Sequence, residues 1–180
     1  KAETVNTAPV AIQNLVYDGS ELALITAGEV TGAAQAAGYK MMYMLEEEGA
    51  VYTDTIPVAT DAGTYKIIWY AGYDNDNFIM NSGTMEVTIA KADIDYTAPT
   101  AETLTYNTKQ QYLVSGGDSR LQYKLDNGEW SDTIPYATNA GDYTVYYRTN
   151  MGENYNNVPE TPISVKIAPF NFATAEGSQV

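Results

Sequence analysis

An internal repeat of about eighty residues limits the architectures open to this chain. Between residues 52–70 and 130–148, nine of nineteen aligned positions are identical. The match extends outward to Leu-x-Tyr at 15–17 and 104–106, and to Val-x-Ile-Ala at 87–90 and 165–168. Solenoid repeats have periods of roughly 20–50 residues, which is too short for this spacing. The sequence therefore predicts two whole domains in tandem.

The aligned blocks set the expected domain limits. The predicted organisation is an N-terminal tail at 1–7, a first repeat at 8–92, a linker at 93–97, a second repeat at 98–168, and a C-terminal tail or the start of a further module at 169–180. The first copy carries insertions at 31–40 and 46–50. The former includes a short Ala-rich stretch bounded by Gly, which predicts one helical turn at most.

Alternating large and polar residues predict strands in both copies. Tyr65, Ile67 and Trp69 share one parity, and 143, 145 and 147 repeat the pattern with Tyr, Val and Tyr. Residues 126–128 (Asp-Asn-Gly) predict a hairpin turn that leads back at Trp130. The predicted fold class is all-β, with two tandem immunoglobulin-like β-sandwich domains. A β-grasp-like repeat is the alternative, but it needs one helix per domain, and the second copy offers no good candidate.

A Tyr follows an Ala-Gly turn at the same place in each copy. The segments 61–67 and 139–145 are similar to the corner before strand F of immunoglobulin-like domains, where a Tyr hydroxyl donates back to the turn. We expect Tyr65 and Tyr143 to make this bond. Ile67 and Val145 would then occupy core positions that hold a Cys in antibody domains. The alternative is an ordinary tight turn before an ordinary strand.

Composition excludes several kinds of chemistry. The 180 residues include no His and no Cys, so Ser-His-Asp triads, Cys-His dyads and zinc fingers are excluded, as is a disulfide scaffold. The formal net charge of −14 makes nucleic acid and anionic membranes poor partners. No run approaches the ~18 apolar residues of a membrane-spanning helix. We expect no nucleic-acid binding and no membrane insertion.

The repeated motifs resemble the MBG/YDG-type repeats of large bacterial surface proteins and adhesins. The resemblance rests on Leu-x-Tyr-(Asp/Asn) at 15–18 and 104–107, on Ile-Pro-x-Ala-Thr-(Asp/Asn)-Ala-Gly-x-Tyr at 56–65 and 134–143, and on the closing Val-x-Ile-Ala. It implies an all-β domain used in tandem arrays, extracellular display, and no catalytic residues to carry over. The second copy departs from the pattern at Thr108, where the first copy has Gly19.

Two acidic segments are candidates for chemistry. Glycosidases use a pair of carboxylates, which the run Glu46, Glu47 and Glu48 could supply. The favoured interpretation is a solvated loop in an inserted segment. Asp74 and Asp76 begin like a calcium loop, but Phe78 takes the third ligand position. An ordinary interstrand loop is favoured there, with calcium as the weaker alternative. No catalytic residue, metal site or cofactor is predicted.

Tyrosine is the most enriched residue type, with 16 Tyr against 3 Phe. Several Tyr residues are predicted to lie in cores or corners, whereas Tyr70, Tyr146 and Tyr155 fall on the outward parity of a strand or on the loop beyond it. With Arg148 beside them they are candidate ligand-binding residues, because exposed rings with polar neighbours suit sugars. Packing between domains and ordinary strand surface are the competing interpretations.

Together these features predict a non-catalytic repeat segment of a secreted or cell-surface bacterial protein, acting as spacer or adhesion module. Its expected partners are neighbouring modules of the same polypeptide and an extracellular ligand, either a glycan or a protein on a host or cell surface. The alternative function is a carbohydrate-binding module of a larger secreted protein that uses exposed Tyr residues. An enzyme is the third and least favoured class.

Overall fold

The structure is a computed structural model that describes residues 2–3, 7–72 and 77–171. Over these ranges the fold is nearly all β, which confirms the all-β part of the predicted class. The one helix described, α1 (Gly32–Ala36), lies in the inserted stretch where a single turn was expected. The chain divides into two compact units, the first comprising residues 1–92 and 153–155 and the second residues 93–152 and 156–180.

Strands follow the two copies of the sequence repeat. Those of the first copy are β1 (Ala2–Glu3), β2 (Val10–Ala11), β3 (Leu15–Val16), β4 (Leu22–Ala23), β5 (Ile25–Thr26), β6 (Met41–Leu45), β7 (Val58–Ala59), β8 (Gly63–Ala71), β9 (Phe78–Ile79) and β10 (Asn81–Ala90). Then come β11 (Ala92–Asp93), β12 (Pro99–Ala101), β13 (Leu104–Thr105), β14 (Gln111–Tyr112), β15 (Val114–Gly116), β16 (Leu121–Leu125), β17 (Tyr136–Ala137), β18 (Gly141–Thr149), β19 (Tyr155–Asn156) and β20 (Thr161–Ala168).

Each unit is organised around one four-stranded sheet. The strand order is β3-β10-β8-β6 in the first unit and β13-β20-β18-β16 in the second, so the two sheets have the same topology. The outer pair is parallel in both, with Leu15 opposite Ile89 and Leu104 opposite Ile167. The other neighbours are antiparallel. Short pairs complete the units, namely β1 with β9, β2 with β5, β4 with β7, β12 with β15, and β14 with β17.

Each unit has its own hydrophobic core. In the first, alternate residues of β8 and β10 pack against Leu24, which lies between β4 and β5, and against Ile25 of β5, which gives the unit a sandwich-like layering. Ile67 and Ile89 are almost fully buried there. In the second, Val145 and Ile167 pack against Leu113 in the equivalent place. The predicted period-two pattern is confirmed, because the residues of one parity form the core.

The corner hydrogen bond is present in both units. The Tyr65 hydroxyl donates to the Asp61 carbonyl at 2.7 Å, and the Tyr143 hydroxyl donates to the Asn139 carbonyl at 2.8 Å. Burial of the phenol, together with the nearby Asp61 carboxylate, raises the pKa of Tyr65, which favours the protonated hydroxyl that donates this bond. Ile67 and Val145 are both 0% exposed, which confirms that they are core residues.

Two local details differ from the sequence-based expectations. The turn after β16 forms, with Gly128 N–H donating to the Leu125 carbonyl, but the returning segment makes only the single bridge between Tyr123 and Ser131. The chain then leaves for β17, which pairs with β14. Thr108 adopts φ 66°, so the second copy keeps the left-handed turn of Gly19 with a β-branched residue.

Over the described ranges no helix has the length and apolar character to cross a bilayer.

Removing either corner hydroxyl should destabilise the unit that contains it. Tyr65→Phe and Tyr143→Phe each keep the ring but leave a turn carbonyl without its donor, which costs about 0.5–1.5 kcal/mol. For a unit of this size, about 1 kcal/mol lowers the melting temperature by roughly 4–8 °C in calorimetry. Tyr112→Phe, at a 65% exposed position, is the control and should leave the melting curve unchanged. Equal melting temperatures for all three variants would contradict a stabilising role for the corner bond.

Candidate functional site

The four residues predicted to bind a ligand lie in two different units. Tyr70 on β8 and Tyr155 on β19 belong to the first unit, whereas Tyr146 and Arg148 on β18 belong to the second. All four side chains are half-buried. The three Tyr rings are thus less exposed than their outward positions suggested, because each packs against an aromatic or cationic neighbour.

In the first unit the predicted rings pack against other rings. Tyr70 meets Tyr52 in an edge-to-face contact, with ring centroids 4.7 Å apart and an interplanar angle of 73°. Tyr155 meets Tyr17 in the same way, at 5.4 Å and 77°. Edge-to-face pairs of this kind stabilise a surface by about 0.5–1.5 kcal/mol beyond the area they bury. These contacts favour a structural role for Tyr70 and Tyr155.

In the second unit the predicted residues join a cluster of cations and rings. Lys124 Nζ lies 4.8 Å from the ring centroid of Tyr146, its cross-strand neighbour, and 4.8 Å from that of Trp130. The Arg148 guanidinium carbon lies 4.1 Å from the Trp130 centroid. Arg148 Nε also donates to Gln122 Oε1 at 3.3 Å, across the same pair of strands. The Trp130 and Tyr146 rings are thus held by cation–π contacts.

The Lys124 ammonium is held firmly in this cation–ring cluster. It forms an ion pair with the Glu160 carboxylate at 2.9 Å, and its side chain is only 17% exposed. A cation so placed competes with a sugar for the Tyr146 ring, because both need the π face. The cluster therefore suits a rigid sheet surface better than a stacking platform.

Of the two acidic segments, the structure describes the one at 46–48. Asp74 and Asp76 lie outside the described residues, so the weak calcium hypothesis stays a prediction. Over the residues that are described, Asp and Glu do not gather in any group of three or more suited to a metal ion. The Glu46 carboxylate pairs with Lys66 Nζ at 2.9 Å on the surface, as a solvated loop residue would.

An exposed aromatic pair lies elsewhere in the second unit. Tyr112 on β14 and Tyr136 on β17 are directly opposite each other, and they are 65% and 53% exposed. Their ring centroids are 6.4 Å apart at an interplanar angle of 82°. Two neighbouring solvent-exposed rings on a short strand pair offer apolar faces that a sugar can cover. We call Tyr112 and Tyr136 the exposed tyrosine pair.

Sequence reasoning missed this pair, although the repeat contained a signal for it. The equivalent positions in the first unit are Ala23 and Val58, which are opposite each other on β4 and β7. Both positions are Tyr in the second copy. Because the first copy folds in the same way without these rings, the shared fold does not require the two Tyr side chains. Tyr136 occupies the variable position of the Ile-Pro-x-Ala-Thr motif.

Comparison with protein-family models, with curated proteins and with solved structures finds no match to this chain. The exposed tyrosine pair and the cation–ring cluster are accordingly interpreted from their own geometry and chemistry.

Proposed function

We propose that this chain is a non-catalytic repeat segment of a bacterial surface protein of the adhesin type, acting as spacer or adhesion module. The observation that carries the proposal is the duplication of a complete folding unit. The two four-stranded sheets have one strand order, and each unit has the same corner hydrogen bond. The MBG/YDG-type resemblance of the repeated motifs supports the same function.

Separate cores support a role in tandem arrays. The buried residues of the first unit pack among themselves around Ile67, and those of the second pack around Val145. A unit that buries its own apolar surface can be added to an array without changes to its neighbours. The net charge of −14 keeps such an array soluble through mutual repulsion. Neighbouring modules of the same polypeptide are the first expected partners.

Surface display is the most direct consequence of this proposal. An antibody raised against the purified chain should label intact, unpermeabilised cells of the source bacterium, because an adhesin-type segment faces outward. Flow cytometry measures the labelling, and an antibody against a cytoplasmic protein serves as the negative control. Labelling that appears only after permeabilisation would contradict the extracellular assignment.

A carbohydrate-binding module is the alternative, and the exposed tyrosine pair favours it. Tyr112 and Tyr136 have the exposure that a stacking platform needs, which Tyr70 and Tyr146 lack. The ligand would then be a saccharide whose apolar ring face covers the Tyr rings. On this hypothesis the first unit would not bind, because Ala23 and Val58 replace the two rings.

A glycan array with the intact chain tests this alternative. If the module binds sugar, the Tyr112→Ala/Tyr136→Ala variant should lose at least about tenfold in affinity, since each lost ring contact costs on the order of 1 kcal/mol. Tyr52→Ala, which removes a 37% exposed Tyr from the first unit, is the matched control and should bind like the intact chain. Absence of saccharide binding by the intact chain would exclude the module and leave the spacer role. Binding that survives in the double variant would place the sugar elsewhere.

A further inference from the structure

The first unit contains a surface that already holds a loop segment. The surface consists of Tyr17, the corner residues Asp61 and Ala62, and the residues 91–92 that follow β10. The segment is 153–155 (Glu-Asn-Tyr), which is part of this unit although it comes from the second sequence repeat. We call the surface the corner surface and the segment the Asn-Tyr loop.

Asn154 makes the central contacts of this arrangement. Ala62 N–H donates to its side-chain oxygen at 2.8 Å, and its side-chain amide donates to the Asp61 carboxylate at 2.9 Å. Ala92 N–H donates to its backbone carbonyl at 2.9 Å. Both polar ends of one amide side chain are therefore recognised by consecutive residues of the corner, which is a specific arrangement.

Residues on either side of Asn154 extend the contact. The Tyr155 ring packs edge-to-face on Tyr17 with centroids 5.4 Å apart. Glu153 meets Lys91 at 3.4 Å, but its carboxylate is fully exposed, so this ion pair contributes little. The loop is thus held by the hydrogen bonds of the Asn154 side chain to the corner and by the packing of the Tyr155 ring on Tyr17.

The second unit has the same surface. Tyr106 occupies the place of Tyr17. Tyr106 N–H donates to the carbonyl of Ala168, the last residue of β20, at 2.8 Å, and Tyr17 N–H donates to the carbonyl of Ala90, the last residue of β10, at 2.9 Å. Asn139 and Ala140 form the corner in place of 61 and 62. Residues 169–170 (Pro-Phe) follow β20 as 91–92 (Lys-Ala) follow β10.

The described residues of this second corner surface are more exposed than their counterparts in the first unit. Ala62 and Ala92 are half-buried in the first unit, whereas Ala140 and Phe170 are exposed in the second, Phe170 at 47%. A cavity of about 740 Å³ lies there, within the range of ~300–1,000 Å³ typical of binding pockets. It is lined by Tyr106, Asn107, Thr108, Asn139, Ala140, Pro169 and Phe170.

We propose that the corner surface of the second unit binds an Asn-Tyr loop carried by a further repeat of the same kind. This inference rests on the proposed function in tandem arrays and names the contact that such arrays use. Ala140 N–H and the Asn139 side chain replace Ala62 N–H and the Asp61 carboxylate as partners of the incoming Asn. The Tyr106 ring supports the incoming aromatic ring.

The residues that differ between the two corner surfaces agree with this occupant. Pro169 cannot make the exposed ion pair of Lys91, which contributes little. Phe170 replaces Ala92 and adds apolar surface to the cavity. Asn139 retains an oxygen that accepts from an amide, as Asp61 does. The hydrogen-bonding chemistry that recognises Asn is kept, while the apolar contact area increases.

An extended chain tests the proposal. Residues 1–171 are followed directly by a second copy of 94–168, so that Pro169, Phe170 and Asn171 are retained and take the place of 91–93 before the appended repeat. Tethering raises the effective concentration of the loop to about the millimolar range. The measurement is the hydrogen-exchange rate of the Ala140 amide by NMR, in the extended chain and in the 180-residue chain.

We expect exchange of Ala140 N–H to slow by at least about tenfold in the extended chain, because it gains a protected hydrogen bond. Asn154→Ala in the appended copy alone should abolish this protection. Asn127→Ala in the appended copy, at an exposed turn, is the matched control and should retain it. An appended repeat that folds while Ala140 exchanges at its original rate would overturn the proposal. An appended repeat that does not fold would contradict the repeat-array function on which the proposal rests.

Discussion

The hydrogen bond from a corner Tyr to the preceding turn is the interaction on which the rest of each unit depends. It fixes the start of the central strand, β8 or β18, and so sets which residues of that strand face the core. Ile67 and Val145 follow two positions later and are completely buried. The same turn supplies Ala62 N–H and Asp61 to the Asn-Tyr loop in the first unit. One local bond therefore orders both the core and the surface that recognises a neighbouring segment.

Much of the fold could be predicted because its determinants are local or repeated. The alternation of large and polar residues along 65–69 and 143–147 predicted which strand face is buried, and the Ala-Gly-x-Tyr motif predicted the corner hydrogen bond. Pairings between distant residues could not be predicted in this way. Gly83 lies opposite Trp69, and a Cβ there would approach the indole to 2.8 Å, whereas the second unit places Thr161 opposite Tyr147. A single sequence does not reveal that the larger ring requires the smaller partner.

The candidate site was harder to predict than the fold. Strand parity identified Tyr70 and Tyr146 as outward-facing, but parity does not show what covers an outward ring. Lys124 and Tyr52 come from other segments and pack against the rings of Tyr146 and Tyr70. The exposed tyrosine pair depends on the register of β14 with β17, two strands separated by more than twenty residues. A comparison of the aligned copies would have identified the pair, because Ala23 and Val58 of the first copy are both replaced by Tyr in the second.

Independence of the two cores is the central claim, since a repeat segment needs units that do not depend on one another for folding. Native-state hydrogen exchange of the full chain with Ile67→Val tests it most directly. The lost methylene costs about 0.5–1.5 kcal/mol, so the slowest amides of β8 and β10 should exchange about 2- to 10-fold faster. The slowest amides of β18 and β20 should keep their rates within experimental error. Equal acceleration in both sheets would contradict the account, because it would mean that the chain unfolds as one cooperative unit.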